Sequence, residues 1–238
     1  MVTVSVEEKF LRKVEESREK KAVVLLSGGM DSTTLVYDVK VIGYEVYPVS
    51  FYYGQKHEKE VDAASKTCRK LGLPHRILDV GVLGEVAPSA LTRNEEKIPE
   101  GHYQEESMKL TVVPNRNMVL LALATSYAIG IGAETVWYGA HGGDHAIYPD
   151  CRSAFVEVMV RAMALCDWSI IELKVPYLLW DKERILRRGL ELGVDYSLTW
   201  TCYLGEELAC GKCGSCVERM GAFEKVGIRD LIKYKGGI

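Results

Sequence analysis

Val23-Val24-Leu25-Leu26-Ser27-Gly28-Gly29-Met30-Asp31-Ser32-Thr33-Thr34-Leu35-Val36 is the stretch on which the reading of this chain turns. Four apolar residues, β-branched at their start, form a run short enough for a buried strand. Ser-Gly-Gly cuts that run off. Asp31 or Ser32 then suits the cap of a helix opening just after it. The two glycines let backbone come close to a ligand and take angles that other residues avoid. A strand, a glycine turn and a helix start make an anion site, because amide N–H groups converge there and the helix dipole favours negative charge. The Ser and Thr hydroxyls add donors beside it. The Walker pattern G-x-x-x-x-G-K-[ST] and the dinucleotide pattern G-x-G-x-x-G are both missing, so this is a different phosphate loop.

The flanking chain tells what the loop is embedded in. A length of 238 residues suits one α/β domain with insertions or a small appendage. Hydrophobic residues at 47% and charged residues at 26% allow a full core. A net charge of −3 weighs against a general nucleic-acid binder. Residues 1–21 are charged and lack the apolar centre of a signal peptide, and no apolar run reaches bilayer-spanning length. A cytoplasmic protein without membrane contact is expected. Its seven cysteines then read as thiols or metal ligands rather than disulfides.

Val6, Phe10, Leu11 and Val14 fall on one helical face, and Ser5 with Glu8 fits a capping box, so 1–20 is expected to be a helical extension. After the loop, a helix over 32–40 is followed by a strand over 44–51 and a helix over 57–71 with Gly72 as its C-cap. A third strand spans 74–80. Residues 81–114 read as a long irregular insertion, of the kind that often serves as a lid. Helices over 118–129, 155–165 and 182–192 alternate with strands over 134–138 and 170–175. Such alternation predicts a doubly wound, Rossmann-like parallel sheet of five strands in order 3-2-1-4-5, covering 21–195. A zinc-binding helical segment over 196–238 completes the chain.

In sheets of this kind ligands bind beyond the carboxyl ends of the strands. The segments leaving those ends hold the unusual residues: Tyr53-Gly54-Gln55-Lys56-His57 after strand two, Gly139 to Arg152 after strand four, and Pro176-Tyr177 with Lys182 after strand five. Each has a plain structural reading too: His57 as a solvated helix residue, Cys151 as a small buried hydrophobe, Asp150 as a turn former after Pro149. Arg116, opening an apolar helix, could pair locally or fork onto a phosphate or carboxylate.

Cys202, Cys210, Cys213 and Cys216 lie within fifteen residues as C-x7-C-x2-C-x2-C. Thiolates two residues apart can reach one metal, and four complete a closed tetrahedral zinc site of structural type. An iron–sulfur cluster is the alternative, since C-x2-C-x2-C also serves ferredoxins.

Ser27-Gly28-Gly29-Met30-Asp31-Ser32 resembles the SGG-x-DS loop of the PP-loop ATP pyrophosphatases. Tyr53-Gly54-Gln55-Lys56-His57, Leu91-Thr92-Arg93, Val113 to Asn117, Tyr148-Pro149-Asp150-Cys151-Arg152, Asp181-Lys182 and Thr201-Cys202-Tyr203 with the three later cysteines narrow the match to the QueC branch, the 7-cyano-7-deazaguanine synthases. Tyr52 stands where the family usually has Asp, Ile147 where it often has Gly, and Asn115 where some members have Gly. The resemblance implies a ligase of the adenine nucleotide alpha hydrolase-like (HUP) fold that takes 7-carboxy-7-deazaguanine, ammonium and ATP with Mg²⁺. It would make 7-cyano-7-deazaguanine through adenylated carboxylate and amide, for queuosine or archaeosine in tRNA. It also implies one zinc per chain, no direct nucleic-acid contact and a homodimer.

On this reading the nucleotide is bound by Leu26, Ser27, Gly28, Gly29, Met30, Asp31, Ser32, Thr33, Thr34, Leu35 and Val36, and the chemistry rests on Ser27, Asp31, Ser32, Lys182 and Arg116. Tyr53, Gln55, His57, Arg93, Asn117, Gly139, Asp144, Tyr148, Asp150 and Arg152 are the expected contacts of the deazaguanine. Competing readings are a PP-loop tRNA thiolase, which needs a reactive cysteine in the crevice, a related ligase acting on a protein, and a zinc-ribbon nucleic-acid binder with a vestigial nucleotide site.

Overall fold

The computed structural model describes residues 20–103 and 105–237. The helical extension expected over 1–20 lies outside the described residues, apart from Lys20. Strands β1 (Lys21–Leu25), β2 (Glu45–Tyr52), β3 (Arg76–Asp79), β4 (Thr135–Trp137) and β5 (Glu172–Lys174) form one sheet in the order β3-β2-β1-β4-β5. Every pairing is parallel, as the expected order requires. Seven helices accompany the sheet among the described residues: α1 (Met30–Val41), α2 (Lys59–Leu71), α3 (Val82–Val86), α4 (Arg116–Ile131), α5 (Ser153–Met163), α6 (Lys182–Glu191) and α7 (Gly214–Val226).

Alternate residues of β1 point to opposite faces. Val23 and Leu25 join the core under α4 and α5, with Leu121, Ala124, Val156 and Met159. Ala22, Val24 and Leu26 join the core under α1, α2 and α6, with Leu35, Val36, Ala64 and Ile185. A strand covered on both faces must be apolar throughout, which is why β1 shows a run rather than an alternation. Helix α1 is sandwiched in turn: its outer side packs Met30 and Tyr37 against Leu186 of α6 and Phe223 of α7.

Three expectations need adjustment. Helix α1 starts at Met30 with Gly29 as N-cap and no side-chain cap. Asp31 and Ser32 stand inside its first turn because their side chains bond elsewhere, Ser32 to the loop and Asp31 to Lys182. The insertion after β3 is not irregular throughout: it holds α3 and a 3-10 turn over Glu106–Thr111. Its middle is tied to the cysteine segment, for Gly101 N donates to Lys212 O at 2.9 Å and Glu100 bridges to Cys213. β5 is shorter than expected. Ile170 is 67% exposed, so the apolar run there begins before the sheet does.

Asn115 takes φ 61° immediately before α4. Asn tolerates the left-handed region better than most residues, so it can hold this turn without a Gly. Arg219 of α7 is wholly buried. It donates to both oxygens of Asp230 at 2.6 and 2.8 Å, to Thr199 Oγ1 at 2.7 Å and to Tyr196 O at 3.1 Å. One guanidinium thereby ties the C-terminal residues to the segment leading into the cysteines.

Candidate active site

The loop after β1 is braced from within. Ser27 N donates to Ser32 Oγ at 3.1 Å, the two hydroxyls lie 2.9 Å apart, and Gly29 N donates to Ser27 Oγ at 3.3 Å. Gly28 has φ 91°, and a Cβ there would stand 2.0 Å from the carbonyl oxygen of Glu60. The first turn of α2 therefore packs directly on the loop. On the other side Trp200 N donates to Gly28 O at 2.9 Å. The start of α1 leaves its first amides without intrahelical partners, facing the space in front of the loop.

That space is a cavity walled by several elements. Ser27, Gly29, Asp31 and Ser32 line it from the loop, Tyr53 and Gln55 from beyond β2, Glu60 from α2, Arg116 and Asn117 from α4. Tyr138, Gly139, Asp144, Tyr148 and Cys151 follow β4, and Lys182 opens α6. Tyr103 comes from the insertion, and Thr201, Tyr203 and Ser215 from the cysteine segment.

One wall is a charge cluster. Lys182 Nζ lies 3.1 Å from Asp31 Oδ2 and 2.8 Å from Glu218 Oε2. Burial works against its ammonium, but those carboxylates hold its proton well above the usual lysine range. Burial likewise pushes the Asp31 carboxyl up, and Lys182 and His141 more than reverse this, so it sits below the usual carboxylate value. His141 Nδ1 accepts from Gly143 N at 3.1 Å, which leaves Nε2 as the ring's N–H, 3.5 Å from Asp144 and 3.7 Å from Asp31. Burial raises the Asp144 carboxyl, with His141 pulling the other way.

The facing wall is aromatic and carries Arg116. Its guanidinium lies 5.5 Å from the ring centre of Tyr53 and 5.9 Å from that of Tyr148. Its Nε donates to Asn117 Oδ1 at 3.3 Å, it hydrogen-bonds the Tyr53 hydroxyl, and Asp150 and Glu60 attract it without an ion pair within 4 Å among the described residues. A half-buried guanidinium without a close carboxylate suits an anionic ligand. Beside it the hydroxyls of Tyr103, Tyr203 and Tyr148 form a chain, at 2.5 and 3.1 Å, that ends on Thr111 Oγ1 at 3.1 Å. Cys151 is no thiolate here, since burial pushes its thiol up to about 12. A thiolase needs the thiolate as nucleophile, so this argues against that reading.

Several expected contacts lie outside the lining. Met30, Leu35 and Val36 sit in the core, because helix positions past the first turn face the packed elements rather than the terminus. Thr33 is buried, and Thr34 bonds Met30 O and the Tyr196 hydroxyl, each at 2.8 Å. His57 packs against Gly205, and Arg93 is on the surface 3.8 Å from Glu96. Asp150 Oδ2 accepts from Asn117 N at 3.1 Å, so it caps α4 instead of facing the cavity. Arg152 donates to His145 O at 2.8 Å and to Ala146 O at 3.5 Å, bracing its own loop. Sequence reading missed Glu60, Tyr103, His141, Thr201, Tyr203, Ser215 and Glu218. Glu60 had a signal as an acidic residue in the first turn of a helix that starts at the crevice, and His141, Thr201 and Tyr203 lie in stretches quoted above that gave them no contact.

The four late cysteines are all buried, with sulfurs within 4.8 Å of one another. Backbone amides of Cys210, Lys212 and Cys213 donate to sulfur at 3.3–3.4 Å. Such donors suit thiolates. Without a cation the sulfurs compete: hydrogen bonds from Cys213 and Cys216 pull the Cys202 thiol down, while the bond to Cys202 pushes that of Cys213 up to about 12. A metal ion among them lets all four ionise, so the donor set fits one. No helix among the described residues is long and apolar enough to cross a membrane.

The model of the queuosine biosynthesis protein QueC family matches residues 21–227. A 7-cyano-7-deazaguanine synthase from Caldicellulosiruptor saccharolyticus is 61% identical over 215 residues, 90% of this chain and 96% of that protein. One from Methanoregula boonei is 59% identical, over 90% of this chain and 99% of its own. A solved NMN synthetase from Francisella tularensis aligns over 95% of this chain and 88% of its own, with a TM-score of 0.50 at 12% identity, a likeness of fold. With a family match that runs through both the phosphate loop and the cysteine segment, the chain belongs to the QueC family.

Proposed function

We propose that this chain is an ATP-dependent ligase that converts 7-carboxy-7-deazaguanine and ammonium to 7-cyano-7-deazaguanine, releasing AMP and diphosphate. The carrying observation is the cavity itself. A braced Ser-Gly-Gly-Met-Asp-Ser loop, the buried Lys182 and the Arg116 guanidinium open onto one space in a chain 61% identical to a synthase of that name.

A carboxylate oxygen is a poor leaving group and AMP a good one, so the acid has to be adenylated before nitrogen can displace oxygen. The loop amides and the hydroxyls of Ser27 and Ser32 bind phosphate. Lys182, held by Asp31 and Glu218, balances charge that moves onto the leaving diphosphate. Arg116 binds the acid's carboxylate or the α-phosphate beside it. Tyr53, Tyr148 and the other aromatic groups offer faces for the deazaguanine ring. Asp31, Asp144 and Glu218 would supply hard oxygen donors that suit Mg²⁺, which when bound would offset the negative charge of the phosphates. The cysteines suit zinc, which when bound would close the C-terminal segment over 196–238 as a structural unit beside the ATP-binding domain over 21–195.

The test is direct. The pure protein, given ATP, ammonium and 7-carboxy-7-deazaguanine, is expected to release AMP and to yield the nitrile by mass. AMP without a nitrogen-containing product would overturn the reading.

A further inference from the structure

Glu60 is the cavity group that the proposed chemistry leaves unused. Its carbonyl oxygen packs against Gly28 of the phosphate loop, so its place relative to the nucleotide is set by backbone contact. Its side chain lines the cavity on α2, partly open to it. Among the described residues it has neither a hydrogen bond nor an ion pair. The other carboxylates of the cavity are engaged: Asp31 with Lys182 at 3.1 Å and Asp144 with His141 at 3.5 Å.

Resting on the function proposed above, the reaction needs a proton acceptor at nitrogen. The nitrogen enters as ammonium with four protons and leaves as a nitrile with none. We infer that the Glu60 carboxylate is the base that takes protons from this nitrogen. In the first cycle an N–H proton of ammonium passes to a Glu60 oxygen. The freed lone pair attacks the acyl carbon of the adenylate, the carbon–oxygen bond to AMP breaks with its electron pair leaving on AMP, and the acyl-bound ammonio group gives a second proton to Glu60 to leave the amide. In the second cycle the amide oxygen attacks the α-phosphate of a second ATP, diphosphate leaves, and a third N–H proton passes to Glu60 to leave the neutral imidate. Glu60 then takes the remaining N–H proton of the imidate, that electron pair becomes the third carbon–nitrogen bond, and AMP leaves again. Glu60 passes each proton to water in between.

The surroundings fit this task. Burial pushes the Glu60 carboxyl up to about 7, Arg116 pulling the other way and the Cys202 thiol adding to the rise. A carboxylate tuned toward working pH is a better base than an ordinary one. The other groups of the cavity are unsuited: Lys182 keeps its proton, and the Tyr53 hydroxyl and Cys151 thiol are both pushed up to about 12.

The experiment compares wild type with Glu60→Gln and Glu60→Asp in two assays. Exchange of labelled diphosphate into ATP, driven by the acid without ammonium, reports adenylation alone. Amide and nitrile formation report the nitrogen steps. Glu60→Gln is expected to keep exchange near the wild-type rate and to lose nitrile formation by roughly 10²-fold or more. Glu60→Asp should fall between. Hydroxylamine, which is neutral at pH 7, should restore acyl transfer in Glu60→Gln as the hydroxamate. Nitrile formation at the wild-type rate in Glu60→Gln, or parallel loss of exchange and nitrile, would overturn the assignment to Glu60. Absence of acid-driven exchange in wild type would instead overturn the synthase reading on which it rests.

Discussion

Lys182 shows how a single side chain joins stability to chemistry. It is 8% exposed and lies between two carboxylates, at 3.1 Å from Asp31 and 2.8 Å from Glu218. Replacing it by Met leaves two largely enclosed carboxylates, 18% and 21% exposed, without their cation. Breaking such a pair costs about 3–5 kcal/mol. Lys182→Met should lower stability by that order at neutral pH in urea titrations and nearly abolish AMP formation. The pH dependence has a definite sign. The Asp31 carboxyl lies below its ordinary value of 3.8 in the folded protein, burial being outweighed by Lys182 and His141. Its contribution is therefore full above that value and is lost as pH falls through the lowered one. The stability gap between wild type and Lys182→Met should narrow as pH falls below 3.8 and through the lowered Asp31 value. A gap independent of pH would show that the pair does not act this way. At this same scale the sequence was legible for Ser27, Asp31 and Ser32, because their meaning comes from adjacency in one turn. It was not legible for Glu218, which reaches Lys182 from a helix elsewhere in the chain.

At the scale of elements, α4 carries the facing wall. It opens at Arg116, just after Asn115 in the left-handed region, with no side-chain cap of its own. The carboxylate that serves its first turn comes from Asp150, 33 residues further on, accepting from Asn117 N at 3.1 Å. Losing a cap costs about 0.5–2 kcal/mol. Asp150→Ala should lower the unfolding free energy by that amount. By shifting the start of α4 and with it Arg116, it should also reduce turnover without a selective rise in KM for the deazaguanine. Asp150→Asn, which keeps an acceptor, should recover most of the stability. A KM effect confined to the deazaguanine would place Asp150 on the substrate after all. Sequence pattern identified α4 as an apolar helix. It could not tell a capping aspartate from a binding one, since both need a carboxylate after a Pro turn.

For the whole molecule the cavity is a joint product of the sheet, the insertion and the cysteine segment. Tyr203 and Thr201 flank Cys202, and Ser215 precedes Cys216, so the segment whose four cysteines could hold a metal also supplies wall. The insertion is stapled to that segment by Gly101 N to Lys212 O and by the Tyr103–Tyr203 hydroxyl pair. Metal removal should therefore be felt at the site. A chelator, or Cys213→Ser, is expected to release one zinc per chain by elemental analysis and to speed amide exchange over residues 98–103 and 201–216. The apparent KM for the deazaguanine should rise more than that for ATP, whose loop lies on the sheet. Iron with labile sulfide would refute zinc. Unchanged exchange in the insertion would refute the coupling.

What the sequence by itself determined is whatever is written in contiguous runs. The doubly covered strand β1, the alternation that sets the order β3-β2-β1-β4-β5, the phosphate turn and the four cysteines each depend on residues within a turn or two of one another. Periodicity and motif spacing report that range directly. Only the tertiary structure decided which residues face the cavity. Tyr103 and Tyr203 are 100 residues apart and meet at 2.5 Å. Arg93 and Arg152 lie in motif stretches but point to the surface and to their own loop. Glu60 reaches the site because Gly28 lets a helix settle on the phosphate loop, a contact made by absence of a side chain. Side-chain direction depends on how helices seat on the sheet, and that follows from packing between distant segments, which no local pattern encodes.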